Sequence, residues 1–441
     1  MTSPGAPGPP PADREPAPTR RVRLHGWRHP AIVSAGLLTV AAGFAQFGAT
    51  AALGDVARAF GGSGEPAGSV AARVGLSGTT IGVGLAIVRL ASLGSLPLAA
   101  LADRHGRRRV LLSCVAGGLA VTALAALSPG YWWFVALFAL GRPLLSATDA
   151  VALVVAAEET DSRDRAKALA LVTAGFGIGS GLTAVLRGAL GGLLGFRGLF
   201  ALALLPLALL PLVARLLEEP DRYRRLRAED PAVAGVQPGR LGRVGAAQRP
   251  RLLLLGTVTF AFSFVTGPAN TFLFVYGENA LGLPRSATAA LVLVAGPAGL
   301  VGLLLGRWAA DTLGRRRSAA AMQAAVALAA MATYSGSRPA WAVGYLAAIL
   351  AGAAYAPSIG ALGAELFPTS MRATVGGWVV AAGVLGAVAG LVAFGVAADA
   401  LDSFRAAAVL VCAPVVASSL LFARLPETLG MELEQSAPEG R

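Results

Sequence analysis

Charge is scarce in this chain: Asp, Glu, Lys and Arg make up 14% of 441 residues, against 55% hydrophobic residues. A soluble domain of average composition carries nearly twice that charged fraction. With a mean hydropathy of +0.65, the shortage excludes such a domain and leaves a polytopic membrane protein. Cysteine is almost absent. Cys114 and Cys412 both fall in apolar stretches, far from any C-x-x-C spacing, so neither a disulfide framework nor a zinc site is expected. Lys167 is the only lysine, and the three histidines, His25, His29 and His105, all lie outside the apolar runs. A histidine proton relay within the runs is therefore excluded, and neither a metal nor a cofactor is expected. No His/Cys/Asp cluster of catalytic spacing appears, which argues against an enzyme. The formal net charge of +13 comes from arginines placed in the gaps between apolar runs. That is the distribution of a membrane topology signal and not of a nucleic-acid surface.

Those gaps carry a repeat. Asp103-Arg104-His105-Gly106-Arg107-Arg108-Arg109 recurs 208 residues later as Asp311-Thr312-Leu313-Gly314-Arg315-Arg316-Arg317, each copy directly after a long apolar run. A second pair is duplicated as well: Glu158 and Arg165 stand seven apart, as do Glu365 and Arg372. Two homologous halves follow, and parallel repeats of this size are a common plan of secondary transporters. Runs long enough to span a bilayer lie at about 31–53, 77–101, 108–127, 131–155, 167–188, 196–216, 252–276, 287–309, 317–335, 339–363, 373–398 and 404–424. The expected fold is an all-α polytopic membrane protein, with twelve transmembrane helices in two pseudo-symmetric six-helix bundles.

Residues 1–29, proline-rich and then arginine-rich, are expected to form a disordered tail rather than a cleaved signal peptide. The bundles are expected at 30–217 and 252–424, with a linker at 218–251 and a second tail at 425–441. The arginine-bearing loops follow the even-numbered spans, so those loops and both termini are expected on the cytoplasmic side of a bacterial cytoplasmic membrane. The loop charges admit two readings. They are topology signals and helix caps, or they are gate residues that pair when helix ends meet. The acids favour a gate formed by Asp103, Gly106, Arg107, Glu158, Arg165, Asp311, Gly314, Arg315, Glu365 and Arg372, because topology alone does not require them.

Within the spans, Arg89, Arg142 and Asp149 stand out. A charge at membrane depth costs roughly 2.5–3.5 kcal/mol on insertion scales unless it is paired or faces a wet cavity. Arg142 and Asp149 are two helical turns apart and share a helix face. Asp149 is the candidate coupling acid, and Arg89 a cavity arginine that would favour an anion. A structural ion pair is the competing reading for Arg142 and Asp149. Gln46, Asn270, Thr271, Tyr276, Tyr345 and Tyr355 are candidate ligand-binding groups, each of which could equally serve helix packing. Glycines 175, 177, 179 and 181 are expected to pack helices closely.

These motifs together resemble the major facilitator superfamily. Ala99 to Arg108 fits its G-x-L-a-D-r-x-G-r-r signature with Ala99 in place of the first glycine; in the second copy Gly306 sits one residue further from the acid. Glu365-Leu366-Phe367-Pro368-Thr369-Ser370-Met371-Arg372 is similar to the E-x-F-P-T-x-x-R of the sugar-porter and metabolite–proton symporter branch. Leu425 to Glu434 resembles that branch's P-E-T-x-G-x-x-L-E ending, and Arg142 falls where it carries an arginine. The paired glutamines of hexose-binding members are missing between Phe260 and Asn270, and Gly360 replaces their tryptophan. The resemblance implies alternating-access transport by proton symport, as a monomer in the lipid bilayer, and does not imply hexose; a small anionic or polar organic solute is expected, the anion mainly on account of Arg89. The alternatives are a drug–proton efflux antiporter, disfavoured by only 7% aromatic residues, and a non-transporting membrane sensor.

Overall fold

The computed structural model describes residues 25–61, 69–161, 163–221, 223–224, 248–368 and 371–431. The first tail up to residue 24, most of the linker and the last ten residues lie outside that set. Twelve helices cross the molecule: α1 Pro30–Ala51, α2 Gly78–His105, α3 Arg107–Leu127, α4 Tyr131–Glu159, α5 Arg165–Ala201, α6 Leu204–Leu216, α7 Arg249–Thr271, α8 Arg285–Leu313, α9 Arg315–Thr333, α10 Arg338–Glu365, α11 Arg372–Ala400 and α12 Phe404–Arg424. Among the described residues, ten segments are long and apolar enough to span a membrane. The other two crossings are α9, whose first turn holds three arginines, and α6, whose path starts at a bend in α5. That bend is at Gly195, where φ is +59° and a Cβ would be strained.

Leucines and tryptophans on the outside of the bundle, among them Leu193, Leu253, Leu300 and Trp308, are more than 60% exposed. An apolar girdle of this kind suits contact with lipid tails and would be a liability in water.

Glycine decides which helices approach most closely. In the first bundle a Cβ on Gly179 would sit 2.0 Å from the Val40 carbonyl, and Gly175 is similarly jammed against Thr39 and Gly36, so α5 lies backbone to backbone on α1. The second bundle repeats the arrangement, with Gly386 and Gly390 of α11 against the carbonyls of Phe260 and Phe264 of α7. Gly177 and Gly181, on the other face of α5, meet nothing within 4 Å. Only half of the glycine stripe packs, because a helix presents residues two apart to nearly opposite sides.

Both cassettes fold alike. Gly106 and Gly314 take φ of +101° and +99°, a region open to glycine, and each turns one helix into the next. Arg107 Nη2 lies 3.0 Å from both Asp103 and Glu158, while Arg315 reaches Asp311 at 3.2 Å and Glu365 at 3.5 Å. A further pair of acids completes the symmetry. Glu219 accepts from the backbone N–H groups of Arg107 and Arg108, and Glu427 does so for Arg315 and Arg316. A carboxylate on the exposed amides of a helix N-terminus is favourable both as a hydrogen-bond acceptor and against the helix dipole. The P-E-T acid thus caps the second cassette, and Glu219 is its unremarked counterpart.

Candidate functional site

A cavity of about 250 Å³ lies between the bundles, lined from the first by Gln46, Phe47, Thr50, Arg89, Arg142 and Phe176 and from the second by Ser263, Thr266, Asn270, Thr271 and Leu391. Its two walls differ chemically. The first supplies two guanidiniums; the second supplies hydroxyls and an amide. Arg89 and Arg142 each have a buried Nε without a hydrogen-bond partner, and neither forms an ion pair among the described residues. Two guanidiniums facing neutral donors give the cavity a positive lining, and the charge-assisted hydrogen bonds of arginine are the strongest it can offer.

Asp149 stands behind this wall. Gln46 Nε2 donates to its Oδ2 at 2.8 Å, while Ser146 donates to Gln46 Oε1 at 3.5 Å. The other carboxylate oxygen, Oδ1, is buried and has no partner. Gln46 therefore touches both the cavity and the acid, a bridge that the sequence could not reveal across 103 residues.

Asn270 lines the cavity and donates to the Thr266 carbonyl at 2.8 Å. Tyr355 is placed elsewhere: it is 3% exposed, stacks on Phe262 with ring centroids 4.1 Å apart, and belongs to the core of the second bundle. Tyr276 and Tyr345 are likewise in an aromatic core at the end remote from the arginine cassettes. Of the loop residues, Glu158 pairs with Arg107 and not with Arg165, whose Nε has no partner. Arg372 opens α11, and its side chain lies outside the described residues.

The remote end holds a feature that the sequence pattern does not single out. Arg187, 2% exposed on α5 ahead of the Gly195 bend, extends its Nε and Nη2 to Asp55 Oδ2 at 3.0 and 2.8 Å, and its two terminal nitrogens to Glu278. Asp55 sits on the short helix Leu53–Phe60. Glu278 belongs to the other bundle, on a π-helical turn Tyr276–Ala280 after α7. Arg285 at the start of α8 reaches back to Asp55 at 2.7 Å, and the Thr288 hydroxyl donates to Glu278 at 2.7 Å. The network thus ties the bundles together. Nearby, Asp399 of α11 accepts from the N–H groups of Gly78 and Thr79 at 2.7 and 2.8 Å, so an acid from one bundle caps α2 of the other. Gly395 and Gly78 let those helices touch there, and Asn279 donates to the carbonyls of Gly54 and Val74. Both cassette clusters, by contrast, close within their own bundle.

Burial pushes the Asp55 carboxyl up, but the guanidiniums of Arg187 and Arg285 outweigh it, and its pKa lies below the ordinary value. A depressed carboxyl pKa contributes stability above the unfolded value of about 3.9 and loses it as pH falls through the lower folded value. Arg58, Arg187, Arg285 and Glu278 are the charges around it. Asp55 should therefore add no pH dependence to thermal unfolding between about pH 5 and pH 8, a window that lies wholly above the ordinary carboxyl value of about 3.9, with its contribution lost only in stronger acid. A midpoint that is lowered by Asp55→Asn at pH 7 but equal to wild type at about pH 5.5, still well above the ordinary carboxyl value of about 3.9, would sink this assignment.

This architecture, two six-helix bundles around a polar central cavity, defines a membrane transporter rather than an enzyme. The chain belongs to the major facilitator superfamily: the model of the Major Facilitator Superfamily matches residues 35–309, and that of the Sugar (and other) transporter family matches residues 239–439. Among curated relatives, the chain is 31% identical over 244 residues to the transcription regulatory protein OpdE of Pseudomonas aeruginosa, covering 52% of this chain and 56% of that one. The chain thus spans little more than half of that relative's length. It is 28% identical over 338 residues to the gallate transporter of Pseudomonas putida, covering 70% and 73% of the two chains. The inward open conformation of the xylose transporter XylE from E. coli superposes with a TM-score of 0.69 at 17% identity, over 92% of this chain and 98% of that one. At that identity the likeness concerns the fold alone.

Proposed function

We propose that the chain is a secondary active transporter that moves a small organic anion, a carboxylate in the first instance, across the cytoplasmic membrane by alternating access with proton symport. The observation that carries this reading is the pair of unpaired guanidiniums of Arg89 and Arg142 in the central cavity. The gallate transporter, whose named substrate is itself a carboxylate, supports it. The cavity volume of about 250 Å³ lies just below the usual span of about 300–1,000 Å³ for ligand sites, which favours a compact solute.

Orientation follows from the arginine cassettes, which face the cytoplasm with both termini. The Asp55–Arg187–Glu278–Arg285 network is then the outer gate, closed here, and the molecule faces inward. The inner gate consists of the two cassette clusters, with Asp103, Arg107, Glu158 and Arg165 on one bundle and Asp311, Arg315, Glu365 and Arg372 on the other. Asp149 carries the coupling proton. Protonation of its carboxyl removes a negative charge behind the arginine wall, so the cavity holds the anion more tightly, and release of the anion returns the proton.

Arg89→Gln keeps a hydrogen-bonding side chain and removes the charge. A hydrogen bond to a charged group is worth about 1.5–3 kcal/mol, so carboxylate affinity should fall roughly 10–100-fold. Isothermal titration of the purified protein with a panel of small carboxylates, and with neutral amides of the same shape, measures it. Equal affinity for acid and amide in the wild type, or unchanged carboxylate affinity in the variant, would overturn the anion reading.

A further inference from the structure

We infer that His25, His29 and Glu159 form a binding site for a divalent transition-metal cation of the zinc type, pinning the segment before α1 to the end of α4. One ligand atom from each of the three residues lies within 4.8 Å of the others. The two imidazole rings are stacked, with centroids 3.7 Å apart and planes 24° apart, and His25 Nδ1 lies 3.2 Å from Glu159 Oε2. The backbone holds the donors in place. His25 N–H donates to the Glu159 carbonyl at 2.9 Å, and His29 caps the first turn of α1 next to Pro30.

Two imidazoles and one carboxylate, with a fourth position left to water, are a borderline-soft set suited to zinc rather than to magnesium or calcium. The electrostatic setting favours a cation. Asp221 interacts with Glu159, and Glu218 with His29, so two further carboxylates add to the field at the cluster. Donors around tetrahedral zinc are about 3.3 Å apart for bonds of about 2.0 Å. Metal binding would draw the three ligand atoms in from within 4.8 Å to that spacing. On binding, the metal replaces the contact between His25 and Glu159, and any proton shared there passes to solvent. His29 gives up little, because its Nδ1 lies 3.4 Å from the Ala31 N–H, a long cap.

The consequence is local to the first cassette. Glu159 adjoins Glu158, which holds Arg107, so a bound metal would brace the end of α4 at the point where α2, α3 and α4 are tied. This site is separate from the central cavity and does not depend on what is transported.

The test uses the full-length, tag-free protein in detergent. Zinc is titrated in competition with a chromophoric chelator, and cobalt is added separately to read visible absorption, a ligand-field signature that a merely structural cluster does not produce. One equivalent should bind, with the cobalt band of a four- or five-coordinate site. His25→Gln, His29→Gln and Glu159→Gln should each weaken zinc by roughly 100-fold or more, because losing a direct ligand costs more than the ~10–100-fold of an outer-shell partner. The exposed His105→Gln should change nothing. Unaltered zinc affinity in His25→Gln/His29→Gln, or weak binding of several equivalents without a cobalt band, would leave adventitious binding only and overturn the proposal.

Discussion

Arg187→Ala is expected to destabilise the protein by about 3–5 kcal/mol, the usual cost of removing one partner from a buried charge network. The substitution leaves the Asp55 and Glu278 carboxylates facing each other, both less than 10% exposed, with only Arg285 and the half-exposed Arg58 to hold them. Separating the bundles at this end relieves that repulsion. The variant should therefore also populate a conformation open at the remote end. A cysteine placed at Gly54, which abuts Asn279 across the gap, should react with a hydrophilic maleimide faster in the Arg187→Ala background than in its absence. Restoring charge balance with Asp55→Asn and Glu278→Gln on top of Arg187→Ala should recover part of the lost stability. An Arg187→Ala protein with wild-type melting and unchanged labelling would show that the network does not hold the bundles.

The second large effect concerns Asp149. Asp149→Asn preserves the size and the acceptor that meets Gln46, but it cannot bind and release a proton. In proteoliposomes, accumulation driven by a pH gradient should fall to the equilibrium level. Exchange of labelled for unlabelled substrate should persist, because exchange requires no net proton movement. The two assays together separate coupling from folding. Accumulation above equilibrium in the variant would move the coupling proton away from Asp149.

Much of this molecule was readable before folding was considered. Apolar runs of about 20 residues can be satisfied only as helices in a bilayer, so the crossings follow from composition, even for α9 with its arginine-rich start. The duplicated cassettes were equally plain, because the turn, the acid and the arginines that pair are all close in the chain. Arg89, Arg142 and Gln46 stood out since a polar group inside an apolar run has few places to go, and all three line the cavity. Tyr355 shows the weakness of the same logic: a tyrosine tolerates an apolar neighbourhood, and this one stacks on Phe262.

The network at the remote end escaped for a different reason. Arg187 lies at the edge of its span and reads as an ordinary terminal charge, while Glu278 and Arg285 cancel within a short loop. Their meaning depends on Asp55, which is 132 residues from Arg187. Sequence alone determined the membrane class, the two-fold repeat and the charged ends of the helices, because these arise from local hydropathy and from residues near one another in the chain. Only the tertiary structure decided which charges meet, since Coulomb and hydrogen-bond energies act over a few ångströms of space. It joined Asp55 to Arg187 and Glu278, Gln46 to Asp149, and His25 to Glu159, and it left the guanidiniums of Arg89 and Arg142 free to face the cavity.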